Sequence, residues 1–116
     1  MYYKDLLVWQ KSMDLVVSVY KLMKLLPKDE TFNLIDQIRR AVVSIPSNIA
    51  EGQSRKNNKE FVQFLYIAKG SKSELETQLD ICKRVGYLTD NDLKQTNALL
   101  SETSKMLSAL IKQLEE

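Results

Sequence analysis

Histidine is absent from the chain and cysteine occurs once, at Cys82. A Ser–His or Cys–His nucleophile therefore cannot be assembled, and neither can a His-ligated metal site, an intramolecular disulfide or a multi-cysteine zinc site. Carboxylates remain, yet Glu74 and Glu76 are two residues apart and do not face one another on a helix. The Glu-x-x-His pair of di-iron bundles is missing, as are the P-loop and the glycine-rich dinucleotide fingerprint. Cys82 falls on an apolar helical face and reads as a small buried hydrophobe rather than a reactive thiol. The chain is expected to be no enzyme and to hold neither cofactor nor metal.

Polar chemistry concentrates in residues 37–52. On a helix, Gln37, Arg40, Ser44, Ser47, Asn48 and Glu51 recur at three-and-four spacing and form one narrow stripe on an otherwise apolar segment. The other outward faces are rich in lysine and glutamate. Small hydroxyls and amides suit close packing with their hydrogen bonds satisfied inside a contact. Three readings are open: a solvated face, a packed polar network at a subunit contact, and a direct ligand site. Glu74, on the next helix, is the best counter-charge for Arg40 within the chain or across subunits. A buried pair would make Arg40→Ala cost about 3–5 kcal/mol.

A second cluster is basic. Between residues 37 and 59 the chain carries Arg39, Arg40, Arg55, Lys56 and Lys59 against one acid, Glu51. Arg39, Arg55, Lys56 and Lys59 are the candidates for contacting phosphates, which requires charge and reach but no base reading. A solvated basic loop is the other meaning of the same residues. The net charge of +2 is too small to imply a nucleic-acid partner by itself.

Four helical segments must position these groups. The first, about 5–26, has two adjacent apolar stripes: Leu6, Trp9, Met13, Val16, Tyr20 and Met23, and beside it Val8, Leu15, Val19, Leu22 and Leu26. Together they cover roughly 220°, more than twice the ~100° a surface helix needs. The surplus predicts contact with further copies, through Leu15, Val19, Leu22 and Leu26. Pro27 ends this helix, and Thr31 is a candidate N-cap for the next. The second segment, about 32–53, contains Pro46, expected to kink or divide it, and Gly52, expected to end it. The third begins near Asn58, tolerates Gly70 at a cost of about 1 kcal/mol for close approach of a neighbouring helix, and ends at Gly86. The fourth follows Thr89 or Asp90, with Leu93, Leu100, Leu107 and Leu114 seven apart. Short connections between four long helices predict a single all-α domain over 1–116, an antiparallel up-down-up-down four-helix bundle.

Of the 116 residues, 44% are apolar and 28% charged, with three glycines and two prolines, as suits a globular helical domain rather than many short strands. The N-terminus lacks the basic start and apolar run of a signal peptide, and no apolar run approaches the roughly 20 residues of a membrane span. A cytoplasmic protein without a membrane partner is expected.

The run QIRRAVVSIPSNIAEG, with VWQKSMDL upstream and FLYIAKGSKSELETQL downstream, resembles the four-helix-bundle proteins encoded in intervening sequences of bacterial 23S ribosomal RNA genes. The accessory variability determinant of diversity-generating retroelements is a relative of the same fold. The resemblance covers almost the whole chain. It implies an antiparallel four-helix bundle, assembly into a homopentamer and an inferred role in nucleic-acid binding. In the retroelement relative, a positively charged pentamer binds nucleic acid and a reverse transcriptase. The family offers no catalytic residues to carry over.

Two function classes follow. One is a homo-oligomeric accessory that binds structured RNA or DNA near the junction of the second and third helices. The other is a structural or protein-interaction module with no nucleic-acid partner.

Overall fold

The apolar spacing of the sequence becomes four helices in the computed structural model, which describes residues 2–116. They are α1 (Leu7–Met23), α2 (Asp36–Gln53), α3 (Asn58–Arg84) and α4 (Asp90–Glu115). A 3₁₀ turn at Tyr3–Asp5 precedes α1. Another at Lys28–Glu30 and a π-helical turn at Thr31–Ile35 lead into α2. Thr31 is not an N-cap, because its hydroxyl donates back to the Lys28 carbonyl at 2.6 Å.

Each helix packs on its two neighbours in chain order, and α1 closes the ring on α4, so that α1 and α3 lie across a diagonal. Cross-links between helices show that each neighbour runs antiparallel. Ser18 of α1 meets Thr96 of α4 at 2.7 Å, and Lys11 meets Glu102 at 3.0 Å. The Tyr87 hydroxyl donates to the Glu30 carboxylate at 2.7 Å, joining the α3–α4 and α1–α2 connections at one end. The result is the up-down-up-down four-helix bundle that the spacing predicts.

Local chemistry explains the helix ends. Asn57 caps α3 by accepting the Glu60 N–H at 2.9 Å. Thr89 and Asp92 form a reciprocal capping box at the start of α4. Gly86, at φ +89°, ends α3 in a Schellman turn, with Tyr87 N–H on the Cys82 carbonyl and Gly86 N–H on that of Lys83.

The core comprises Leu15 and Val19 of α1, Ile38, Val42, Ile45 and Ile49 of α2, Leu65, Ala68 and Leu75 of α3, and Leu107 of α4, all with no exposed surface. Burying each such Leu or Ile contributes about 1.5–3 kcal/mol. This corrects the expected oligomer contact. Leu15, Val19, Leu22 and Leu26 are 0%, 0%, 7% and 6% exposed, so they hold the chain's own core and are closed to a second copy. The surplus lies on the other stripe, where Met13 and Tyr20 are each 39% exposed, and just beyond it at Val17, at 54%.

Two further expectations change. Pro46, expected to kink or divide the second segment, is buried and does not divide it, since α2 continues on both sides. The two helical glycines also sit differently from expectation. Gly52 stays inside α2 and lets α3 come close, since a Cβ there would lie 2.7 Å from the Phe64 Cβ and 2.9 Å from the Phe61 ring. Gly70, expected to permit close approach of a neighbouring helix, has no neighbour in its own chain within 4 Å of an added Cβ.

Gly52→Ala is therefore expected to destabilise by about 1–3 kcal/mol through overpacking, despite alanine's better helix propensity. Denaturant melts of the variant check this, and unchanged or raised stability would contradict the packing account.

Candidate nucleic-acid interface and outer faces

The turn between α2 and α3 is built from small polar groups. Ser54 closes α2, its hydroxyl donating to the Glu51 carbonyl at 2.7 Å, and Asn57 opens α3 three residues later. This places Arg55, Lys56 and Lys59 together at one end of the bundle. Arg55 is partly engaged: its guanidinium pairs with Glu51 at 2.9 Å and lies 4.7 Å from the Phe64 ring centroid. Lys56 and Lys59 are exposed and form no ion pair among the described residues. They flank the α3 N-terminus, whose helix dipole also favours an anion.

Arg39 does not join them. The α2 end at Gln53 is fourteen residues beyond Arg39, about 21 Å at helical rise, and Arg55 lies two residues further on. It stacks instead on Tyr20 of α1, 5.1 Å from the ring centroid, with its Nε buried and without an acceptor. Of the four candidates for phosphate contact, Arg55, Lys56 and Lys59 thus stand together, and Arg39 belongs to the α1–α2 seam. Its aromatic partner was missed in the sequence because the two residues sit on different helices.

The polar stripe also divides. Ser44 shares a 2.8 Å hydrogen bond with Ser71 of α3, and the Asn48 amide donates to the Ser44 hydroxyl and carbonyl at 2.9 and 2.8 Å. These groups form a packed network, but within the chain. Gln37 donates to Asn33 at 3.2 Å, Ser47 is exposed, and Glu51 holds Arg55. Arg40 pairs with Asp36 one turn away at 3.2 Å, with 80% of its side chain exposed. Glu74 is exposed and has no ion pair among the described residues, so the expected Arg40–Glu74 pair does not form within the chain.

An open cleft of about 710 Å³ separates α3 from α4, lined among others by Lys72, Lys83, Lys105, Glu76, Asp80 and Asp90. Lys72 pairs with Glu76 and Lys83 with Asp90, each at 2.7 Å. Its opposite charges cancel, which gives a phosphodiester little to bind. Burial pushes the Cys82 thiol up to about 11, the nearby Glu30 carboxylate adding to the effect. No group of side chains suited to a metal ion occurs among the described residues, and no described helix is long and apolar enough to cross a membrane.

With this architecture in place, the comparison with known proteins is decisive at one level. A family model described as the 23S rRNA-intervening sequence protein matches residues 4–109. The chain belongs to this family. Among solved structures, it is similar to a protein of unknown function from the S23 ribosomal protein family of Bacteroides thetaiotaomicron, seen in a 1.70 Å crystal structure. The two share 30% identity with a TM-score of 0.84, over 91% of this chain and 99% of that one. No curated protein matches.

Two outcomes are expected of this intervening-sequence-family chain. Arg40→Ala should lose less than about 1 kcal/mol, as for an exposed ion pair one turn apart, and an Arg40/Glu74 double-mutant cycle should show no coupling in the single chain. Cys82 should resist alkylation until the protein unfolds. Its folded thiol stays protonated while the unfolded one ionises near 9.0, so this group's contribution is complete below pH 9 and is lost between about 9 and about 11. Melts across that range should show a shallower fall in Cys82→Ala than in the wild type.

Proposed function

We propose that this family member is a non-catalytic, homo-oligomeric accessory protein that binds structured RNA or DNA by its phosphates, in the cytoplasm. The observation that carries the reading is the α2–α3 connection, where Lys56 and Lys59 stand exposed with no ion pair among the described residues, beside Arg55 and a helix N-terminus. Such a group attracts phosphate without requiring base readout, and the described elements are all helical, so aromatics on a sheet are not available. One turn is weak by itself. An assembly repeats it, and five copies, the number the family resemblance implies, would convert weak contacts to avidity. The second reading, an interaction module with no nucleic-acid partner, is favoured by the net charge of +2.

A mobility shift with structured RNA and with duplex DNA, at about 50 and about 200 mM salt, separates the two. Substituting Arg55, Lys56 and Lys59 together by alanine should weaken binding to all sequences alike. It should also reduce the salt dependence by up to about three phosphate contacts per bound subunit. Equal binding by the triple variant would remove the turn from the interface. No wild-type binding at low salt would leave the interaction module as the function.

A further inference from the structure

Two of the three glycines are explained by the chain itself, Gly52 by the approach of α3 and Gly86 by its positive φ. Gly70 is not. It lies inside α3 with ordinary helical backbone, and a Cβ there would meet nothing within 4 Å. Glycine in a helix interior is unfavourable relative to alanine, and the remaining physical use of a missing side chain is close approach from outside.

The surroundings of Gly70 fit such an approach. Ile67, Gly70, Glu74, Thr77 and Ile81 follow one outward stripe at helical spacing, with Ile67 52% and Ile81 43% exposed. On the far diagonal, Met13, Val17 and Tyr20 form an outward stripe of α1, 39%, 54% and 39% exposed. The charges complement each other. Glu74, in the middle of the α3 stripe, forms no ion pair among the described residues, and neither does Lys24, the C-cap residue that continues the α1 stripe.

We propose that the outward face of α3 around Gly70 receives the Met13–Val17–Tyr20 face of α1 from a second copy of this chain. The inference rests on the homo-oligomer reading and adds which surfaces meet. A two-fold contact of α3 with α3 would gather two unpaired Glu74 carboxylates in one small patch and leave the α1 stripe bare. Joining α1 to α3 covers both stripes and pairs Glu74 with Lys24. Because the two helices sit diagonally across the bundle, the contact is head-to-tail, and it closes as a ring when the rotation between copies allows.

Light scattering coupled to size exclusion at micromolar concentration tests this. The wild type should show several times 13.4 kDa. Gly70→Trp should run as a single chain while circular dichroism shows its helices intact, and so should a Met13→Glu, Val17→Glu double variant. Mixed together, the two should give twice the single-chain mass and nothing larger, since each retains one complementary face. Should Gly70→Trp fail to fold, Glu74→Lys carries the test: it should dissociate the assembly, and Lys24→Glu should restore it. Wild-type mass in both Gly70→Trp and Glu74→Lys overturns the proposed surface while the homo-oligomer reading stands. A mixture that stays at single-chain mass overturns the head-to-tail contact, and a monomeric wild type overturns both readings.

Discussion

The close contact of α2 with α3 is the constraint on which the rest of the bundle depends. Gly52 admits Phe61 and Phe64 where no side chain would fit, and one level along, Ser44 and Ser71 are near enough to share a hydrogen bond. Those two contacts set the register of the helices over most of α2. The register in turn fixes the short polar turn that gathers Arg55, Lys56 and Lys59. It also decides which residues of α3 face away from the bundle, among them Ile67, Gly70 and Glu74. Relaxing the seam would move the cationic turn and the outward stripe together.

The helices and their ends were legible in the sequence because their signals are local. Apolar spacing, Thr89 before α4 and Gly86 after α3 each act within a turn or two of chain. What failed depended on the neighbour. The first helix carries an apolar arc wide enough for two orientations, and periodicity alone does not say which part of the arc faces inward; Leu15 and Val19 do, and Met13 and Val17 do not. Gly52 and Gly70 look alike in the sequence, yet only Gly52 has a helix against it within the chain. Arg40 was matched to Glu74 within the chain or across subunits, and within the chain it pairs instead with Asp36, one turn away on the same helix.

The candidate site shows the same division. Density of cations along the chain placed Arg39 with Arg55, Lys56 and Lys59, but length along a helix is distance in space. Arg39 was carried to Tyr20 and the α1–α2 seam. The three cations that remain together lie within five residues, on the α2–α3 turn and the first turn of α3, where neighbours in sequence are neighbours in space.

A well-filled core leaves this fold with its chemistry on the outside. Cys82 is sealed, the lysines of the α3–α4 cleft are largely matched by carboxylates, and Lys56 and Lys59 on the α2–α3 connection and Lys24 and Glu74 on the outward faces of α1 and α3 are among the groups that form no ion pair among the described residues. The central claim is that those outward faces meet between copies. A crystal or cryo-electron-microscopy structure of the assembled wild type tests it most directly. The account predicts the α1 backbone of one copy crossing α3 of the next at Gly70, with Glu74 within ion-pair distance of the neighbouring Lys24. An assembly in which Gly70 faces solvent in every copy would contradict it.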